Sequence, residues 1–466
     1  MTAVIAVGAL ASLLGLSSLA ADDIAPGVLV ERIPVSAAPE ESYALYLPSA
    51  YSPSRPTPIL YAFDPRARGR VPVERFQAAA ERYGWAVVGS NNSRNGIAVT
   101  DIVSRLWDDT HRRLAIDERR VYMTGFSGGA RVASGIALSS RGLVAGVIAF
   151  GAGLPNGVQT VKDALFVFFG GAGRDDFNLP EMRQLAADLD AASIPNRLDT
   201  WEGGHEWAPP ELCTLAVEWL ELSAMRARTR AKDDGLVAQW ARRDEERARQ
   251  HETAGAAVEA AEAFDSLAED FRGLRDTSDY AQAAARIRGS RAYKDAVRAQ
   301  REDDRRQGQL SNELGAALQQ LLGDADGRLS ALATLRGSIA TLRRAAEKEN
   351  AGREGHVARR ALSGAWIQAL EASSALRARK EYRRAAEALA LAGEIRPLGA
   401  GQLYELARLH SLGGDERSAL LALRRAVESG FKDADAMESE PDLDRIRRSP
   451  EFAALVESAR AAPKVE

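Results

Sequence analysis

The chain has 466 residues, a formal net charge of −4, and 45% apolar and 27% charged residues. That length exceeds what one compact domain usually needs, so two or three domains are expected. The near-neutral balance supplies no basic face for a nucleic acid. The single cysteine, Cys213, excludes an intramolecular disulfide, a CxxC pair and a cysteine zinc site. It lies at an apolar helical position in "ELCTLAVEWL" and reads as core packing.

The N-terminus, "MTAVIAVGALASLLGLSSLAADD", carries no charge before Asp22, and Ser18 and Ala20 are small residues before a cleavage point. Residues 1–20 are expected to be a signal peptide, which implies a secreted or periplasmic protein. The n-region lacks Lys and Arg. The run is more diluted by Gly and Ser than the roughly 20 apolar residues of an anchor, so no stable membrane span is expected.

Fourteen of the 18 prolines fall within residues 1–210, and residues 211–396 contain none. Because proline breaks helix interiors, this separates a loop-rich first part from a long helical middle. The expected domains are 21–225, a charged helical region at 226–360, and helical repeats at 361–460. In the first part, short apolar runs fall at 43–49, 58–64, 86–91, 120–125, 146–153 and 164–171, with an extended run at 196–201. Helix-like segments at 73–83, 100–115, 128–140 and 180–192 lie between most of them. Strands alternating with helices imply a mostly parallel sheet with helices on both faces. Ligands then bind beyond the carboxyl ends of the strands.

In the middle, Val258, Ala261, Phe264, Leu267, Phe271 and Leu274 give one apolar helical face. "GDADGR" at 323–328 lacks the further acidic ligands of a calcium loop and reads as a turn. Two windows of 34 residues follow, 366–399 and 400–433. Ala385, Leu389, Ala392 and Pro397 in the first match Ala419, Leu423, Ala426 and Phe431 in the second. Small and large residues at these offsets resemble tetratricopeptide repeats, through which a protein partner could bind. "SPEFAALVESA", with Ser449 as cap and Pro450 at the first helical position, suits a terminal helix.

The segment "RVYMTGFSGGARVASG" passes from a buried-strand pattern through Gly125-Phe126-Ser127-Gly128-Gly129 into a helix-compatible one. That is the context of a nucleophile elbow, and Ser127 is the candidate nucleophile. A serine needs a base. Of the five histidines, His251, His356 and His410 lie in the helical part and His111 in an amphipathic helix. His205, in "TWEGGHEWAPP" after the last extended run, remains. The base needs an acid to fix its tautomer, and Asp175 and Asp176 follow a buried strand in "FVFFGGAGRDDFNLPEMRQL". Asp176 is preferred; capping the next helix or lying solvated are the alternative roles for the pair.

With "GFSGG", "GRDDFNLPEMRQL" and "WEGGHEW" in place, residues 40–222 resemble a compact α/β-hydrolase of the dienelactone-hydrolase and polyhydroxyalkanoate-depolymerase type. The order Ser127, Asp176, His205 is the order that fold uses. In that family the aspartate before the Phe-Asn pair is the acid, which favours Asp176. The resemblance implies one oxyanion donor at the N–H of Gly128. Many relatives carry a His-Gly pair after the third strand, where this chain has "YAFDPRARGR". Pro65 has no N–H to give, so Asp64 is the candidate for the second donor. Its carboxylate must then point away.

Arg66, Arg68 and Arg70 either orient an anionic substrate or are solvated. "SNNSRNG" (90–96) lies beyond a strand end and is a candidate lining of the pocket. Phe126 and Trp207 are candidate pocket residues, Trp207 either as an apolar wall or as packing. The expected fold is therefore an α/β hydrolase followed by an all-α region ending in tetratricopeptide-like repeats. The expected activity is a secreted serine hydrolase acting on a small or polymeric carboxylic ester, without metal or organic cofactor. Short connections leave no room for a large lid, so an open site is expected. The alternatives are a peptidase on the same triad, or a repeat scaffold with an inactive hydrolase fold.

Overall fold

The computed structural model describes residues 24–461 except 159, 160, 163, 324–327 and 349–351. The expected signal peptide and most of the 323–328 turn lie outside the described residues. Among the described residues no helix is long and apolar enough to cross a membrane.

Eight strands form one sheet: β1 (Leu29–Val35), β2 (Ala38–Tyr46), β3 (Thr57–Phe63), β4 (Ala86–Ser90), β5 (Ile116–Phe126), β6 (Gly146–Phe150), β7 (Val167–Gly173) and β8 (Asn196–Trp201). Their order is β1-β2-β4-β3-β5-β6-β7-β8. β1 and β4 each run antiparallel to β2, and every later pairing is parallel. This order, with the β3–β4 exchange, is the α/β-hydrolase fold. β3, β4 and β6 are buried along their whole length, as parallel strands covered on both faces must be. β1 has no matching apolar run because Glu31 and Arg32 are exposed on this edge strand.

Helices α1 (Arg70–Tyr83), α2 (Thr100–Arg113), α3 (Gly128–Ser139), α4 (Leu179–Ala191) and α5 (Pro210–Arg226) accompany the sheet. Leu60, Val87, Tyr122, Ile148 and Phe169 share one core with Phe76 of α1 and with Cys213 and Trp219 of α5. Tyr61 points to the opposite face by the two-residue period. There its hydroxyl lies 2.6 Å from Thr110 Oγ1 of α2.

The chain condenses into two compact units. The first gathers residues up to Gly173, Glu181–Trp201 and Glu206–Arg288. It thus extends past the proline-based edge at residue 225 to include α6 (Asp234–Thr253), α7 (Ala257–Asp270) and α8 (Ser278–Gly289) as far as Arg288. A buried ion cluster supplies the reason. Arg197 of β8 lies 3.2 Å from carboxylate oxygens of Asp199, Asp244 of α6 and Asp270 of α7. Trp219 donates to Asp270 at 2.7 Å, and Arg247 also pairs with Asp199. Burial pushes the Asp270 carboxyl up to about 6, against the pull of Arg197 and the Trp219 bond.

The second unit gathers Arg174–Pro180, Glu202–His205 and the residues from Gly289 on. Its helices are α9 (Arg291–Leu322), α10 (Arg328–Glu347), α11 (Gly352–Ala378), α12 (Tyr382–Ile395), α13 (Ala400–Leu412), α14 (Glu416–Glu428), α15 (Ala434–Ser439) and α16 (Pro450–Ala461). One core runs through it. Leu310, Leu314 and Leu318 of α9 enter that core, as do Leu335 and Ile339 of α10 and Ala361 and Ala365 of α11. α11 packs on α12 and α13 on α14. Ala385, Ala392, Ala419 and Ala426 are fully buried, as close helix approach requires. Ser449 Oγ accepts the Glu451 and Phe452 N–H groups at the start of α16.

Replacing Arg197 leaves Asp199, Asp244 and Asp270 buried without their shared cation. Arg197→Leu is expected to lower the unfolding free energy by roughly 3–5 kcal/mol, measured by urea denaturation at neutral pH. A change below about 1 kcal/mol would show the cluster to be incidental.

Candidate active site

β5 delivers the chain to Ser127 and α3 leaves from it. Ser127 has φ 54° and ψ −122°, a left-handed conformation costly for a residue with a Cβ. The turn is over-determined by its neighbours. Ser127 N–H donates to Phe150 O at 2.8 Å, and Ser127 O accepts from Ala130 and Arg131 N–H. A Cβ at Gly125 would lie 2.2 Å from the Gly129 carbonyl, and one at Gly129 would lie 2.0 Å from Phe63 O. Only glycine permits either approach. Gly128 is the first residue of α3, so its N–H has no acceptor within the helix and lies at the positive end of the helix dipole.

Asp64, just past β3, lies against the same turn: its backbone N would be 3.3 Å from a Cβ at Gly129. Its carboxylate is committed elsewhere. Oδ1 accepts from Arg66 N–H (2.8 Å) and Arg68 Nε (3.0 Å), and Oδ2 accepts from Arg68 Nη2 (2.8 Å) and Trp207 Nε1 (2.8 Å). Burial alone would raise this carboxyl, but these bonds outweigh it and hold it below the ordinary value. Trp207 is buried and belongs to the sheet core. Its indole packs against the rings of Phe126 and Phe150, with centroids 5.8 and 6.2 Å away. Phe126 is buried in the same core. Both residues thus contribute to core packing, and Trp207 also binds the Asp64 carboxylate.

Of the three arginines after Asp64, Arg68 is tied to it and Arg70 to Glu31 and Glu74. Arg66 is exposed and pairs through its backbone with Arg94. Arg94 belongs to the "SNNSRNG" segment, whose Asn95 N–H donates to Pro65 O at 3.0 Å. The Asn95 side chain is packed so closely on Gly128 that a Cβ there would meet its Oδ1 at 1.8 Å. Asn95 is a neighbour of the Ser127 turn, within the segment that the sequence marked as a candidate pocket lining.

The loop that carries Asp176 follows β7, and the loop that carries His205 follows β8. His205 Nδ1 lies 3.0 Å from Asp176 Oδ1 and 2.9 Å from Oδ2. A carboxylate only accepts, so Nδ1 carries the proton and Nε2 keeps its lone pair. Asp176 is fully buried, and its Oδ1 also accepts the Asn178 N–H at 2.8 Å. The His205 side chain is 6% exposed, and the Phe177 ring lies 4.4 Å from the imidazole. The expected openness therefore does not hold at the imidazole, where the loop that carries Asp176 supplies cover.

Asp175 neither caps a helix nor faces solvent alone. His356 Nδ1 lies 2.6 Å from its Oδ1, and Arg359 Nε donates to its Oδ2 at 2.8 Å. His111 lies 2.8 Å from Trp107 O and stacks on that indole. Among the described residues no cluster of His, Cys, Asp and Glu could hold a metal.

Several solved structures resemble this chain. An S-formylglutathione hydrolase from Staphylococcus aureus is 13% identical, with a TM-score of 0.34, covering 41% of this chain and 95% of that one. A ferulic acid esterase is 15% identical, with a TM-score of 0.32, covering 41% and 94%. An S-formylglutathione hydrolase from Agrobacterium tumefaciens is 16% identical, with a TM-score of 0.31, covering 40% and 90%. At these values the fold assignment stands on the strand order and the Ser127 turn. No protein-family model matches the sequence, and no curated protein matches it either.

Asp64 has a lowered folded pKa, so its contribution to stability is present above its unfolded value of 3.8. That contribution is lost as pH falls through the lower folded value. Asp64→Asn is expected to cost about 1–3 kcal/mol at pH 7, with the gap to wild type narrowing below 3.8. Denaturant melts across an acid pH series check this; a gap that does not change with pH would refute it.

Proposed function

We propose that the chain is a serine hydrolase of carboxylic esters that works through Ser127, His205 and Asp176. β5, β7 and β8 run parallel, so the chain leaves all three at the same edge of the sheet. Each of the three residues lies within a few positions of its strand end. The observation that carries the reading is the His205–Asp176 pair at 2.9–3.0 Å. That pair fixes the tautomer a base needs.

In this mechanism Ser127 Oγ attacks the acyl carbon while His205 Nε2 takes its proton. The carbonyl π pair moves onto oxygen, where the N–H groups of Gly128 and Asp64 receive the charge. Asp176 stabilises the imidazolium without accepting its proton. The intermediate collapses to the acyl-enzyme as His205 returns the proton to the departing alkoxide. Water, deprotonated by His205, then repeats the attack and releases the acid. The Asp64 carboxylate does not oppose the oxyanion, because Arg68, Trp207 and the Arg66 N–H hold it. The uncharged N-terminal run supports export, and the two 34-residue windows support a repeat that binds a protein partner.

A fluorophosphonate probe is expected to label the wild-type protein and not Ser127→Ala. Asp176→Asn is expected to lower kcat on a short acyl ester by on the order of 10³–10⁴-fold, and Asp175→Asn by far less. Folded protein that resists the probe would favour the scaffold reading. A larger loss in Asp175→Asn than in Asp176→Asn would overturn the acid assignment. Turnover of matched amides and not esters would move the reading to a peptidase.

A further inference from the structure

The residues flanking Asp176 are held by contacts of their own. Asp175 is held by His356 and Arg359 of α11. Arg360, also of α11, donates through Nη1 to Arg174 O at 3.2 Å. Gln307 of α9 donates through Nε2 to Phe177 O at 2.7 Å, and its Oε1 accepts from Arg360 Nε at 2.5 Å. Gln307 and Arg360 are each 4% exposed, so these bonds form out of water, where leaving them unmade is costly. Gly364 of α11 lies beside Phe177: a Cβ there would be in ordinary contact with Phe177 Cβ, at 3.4 Å. Phe177 in turn lies against His205.

The acid and base loops are also tied to one another. Asp175 N–H donates to Gly203 O at 2.9 Å, and Arg174 Nε pairs with Glu202 at 2.9 Å. Four consecutive residues, 174 to 177, thus have either their carbonyls or their side chains fixed. The Asp176 carboxylate itself meets His205 Nδ1 and the Asn178 N–H.

We infer that α9 and α11 position the catalytic acid: Gln307, His356, Arg359 and Arg360 hold residues 174–177 so that Asp176 stays aligned on His205. These are positioning residues, acting through Asp176 and His205, and the inference rests on the acid and base roles proposed above. Activity then depends on helices that lie more than a hundred residues after the acid in the chain.

The test uses the full chain and a short acyl ester. Gln307→Ala and Arg360→Met are expected to lower kcat and the rate of fluorophosphonate labelling by about tenfold, with KM changed by less than about twofold. Arg360→Lys should recover part of the loss, because it restores a donor. In the Asp176→Asn background, Gln307→Ala should cost nothing further, because groups that act as one unit are non-additive. Independent, multiplying losses would overturn the inference, as would a lowered melting temperature with unchanged kcat. If Arg360→Met does not fold, the half-buried pair decides through Asp175→Asn and His356→Gln, with the same expectation and the same refutation. A loss in Asp176→Asn alone overturns only the positioning role. No loss in Asp176→Asn overturns the acid assignment itself, and the positioning role with it.

Discussion

The turn at Ser127 depends on three backbones passing within contact distance. Gly125 faces the Gly129 carbonyl, and Gly129 faces Phe63 O. A single Cβ at either glycine would overlap a carbonyl group. That would separate β5 from α3, or α3 from the end of β3. The positive φ of Ser127 follows from this crowding, because the chain must reverse from strand to helix without room for a looser loop. The same closeness brings the Asp64 backbone beside Gly129 and leaves the Gly128 N–H at a helix start. The conformation of Ser127 and the placement of the Asp64 backbone are therefore consequences of one steric constraint rather than separate adjustments.

Two of the arrangements that hold buried charge in the first unit differ in purpose. The Arg197 cluster gathers three carboxylates on one cation. Buried ion pairs add little net stability but are costly to break. The cluster fixes where α6 and α7 meet β8 more than it strengthens the fold. Asp64 is arranged the opposite way, as one carboxylate with four donors. That surplus outweighs the cost of burial and keeps the carboxyl below its ordinary value. Trp207 belongs to this arrangement: its ring packs in the core while its N–H anchors Asp64.

The sheet was legible where strands are apolar throughout. β3, β4 and β6 stand out as runs because both of their faces are covered. β1 did not, because an edge strand carries exposed Glu31 and Arg32. β5 begins at Ile116, before its apolar run, because Glu118 and Arg119 sit in its exposed first part. The serine, acid and base candidates were readable because each follows a strand, and position after a strand is a local property. The partners of Asp175 were not readable. His356 lies 181 residues from it and has no local signature; membership of the helical part argues against a base without suggesting a positioning role. Exposed and tied arginines were equally indistinguishable in "DPRARGR". Only the structure separates Arg68, bound to Asp64, from Arg66.

Energetics favour a held acid loop over a free one. Fixing one residue's backbone costs roughly 1–2 kcal/mol, whereas an ordinary hydrogen bond returns about 1 kcal/mol and a charged one about 1.5–3 kcal/mol. A loop with only neutral contacts would barely offset its own ordering. The 174–177 segment has charged partners on Asp175 and a buried Gln–Arg pair on its flanking carbonyls. Those contacts are strong enough to hold one conformation. An acid that orients a base must hold its place to well under an ångström, since small misplacements cost large factors in rate. Strand β7 fixes only one end of that loop. Further restraint comes from the Gly203 and Glu202 contacts and from α9 and α11.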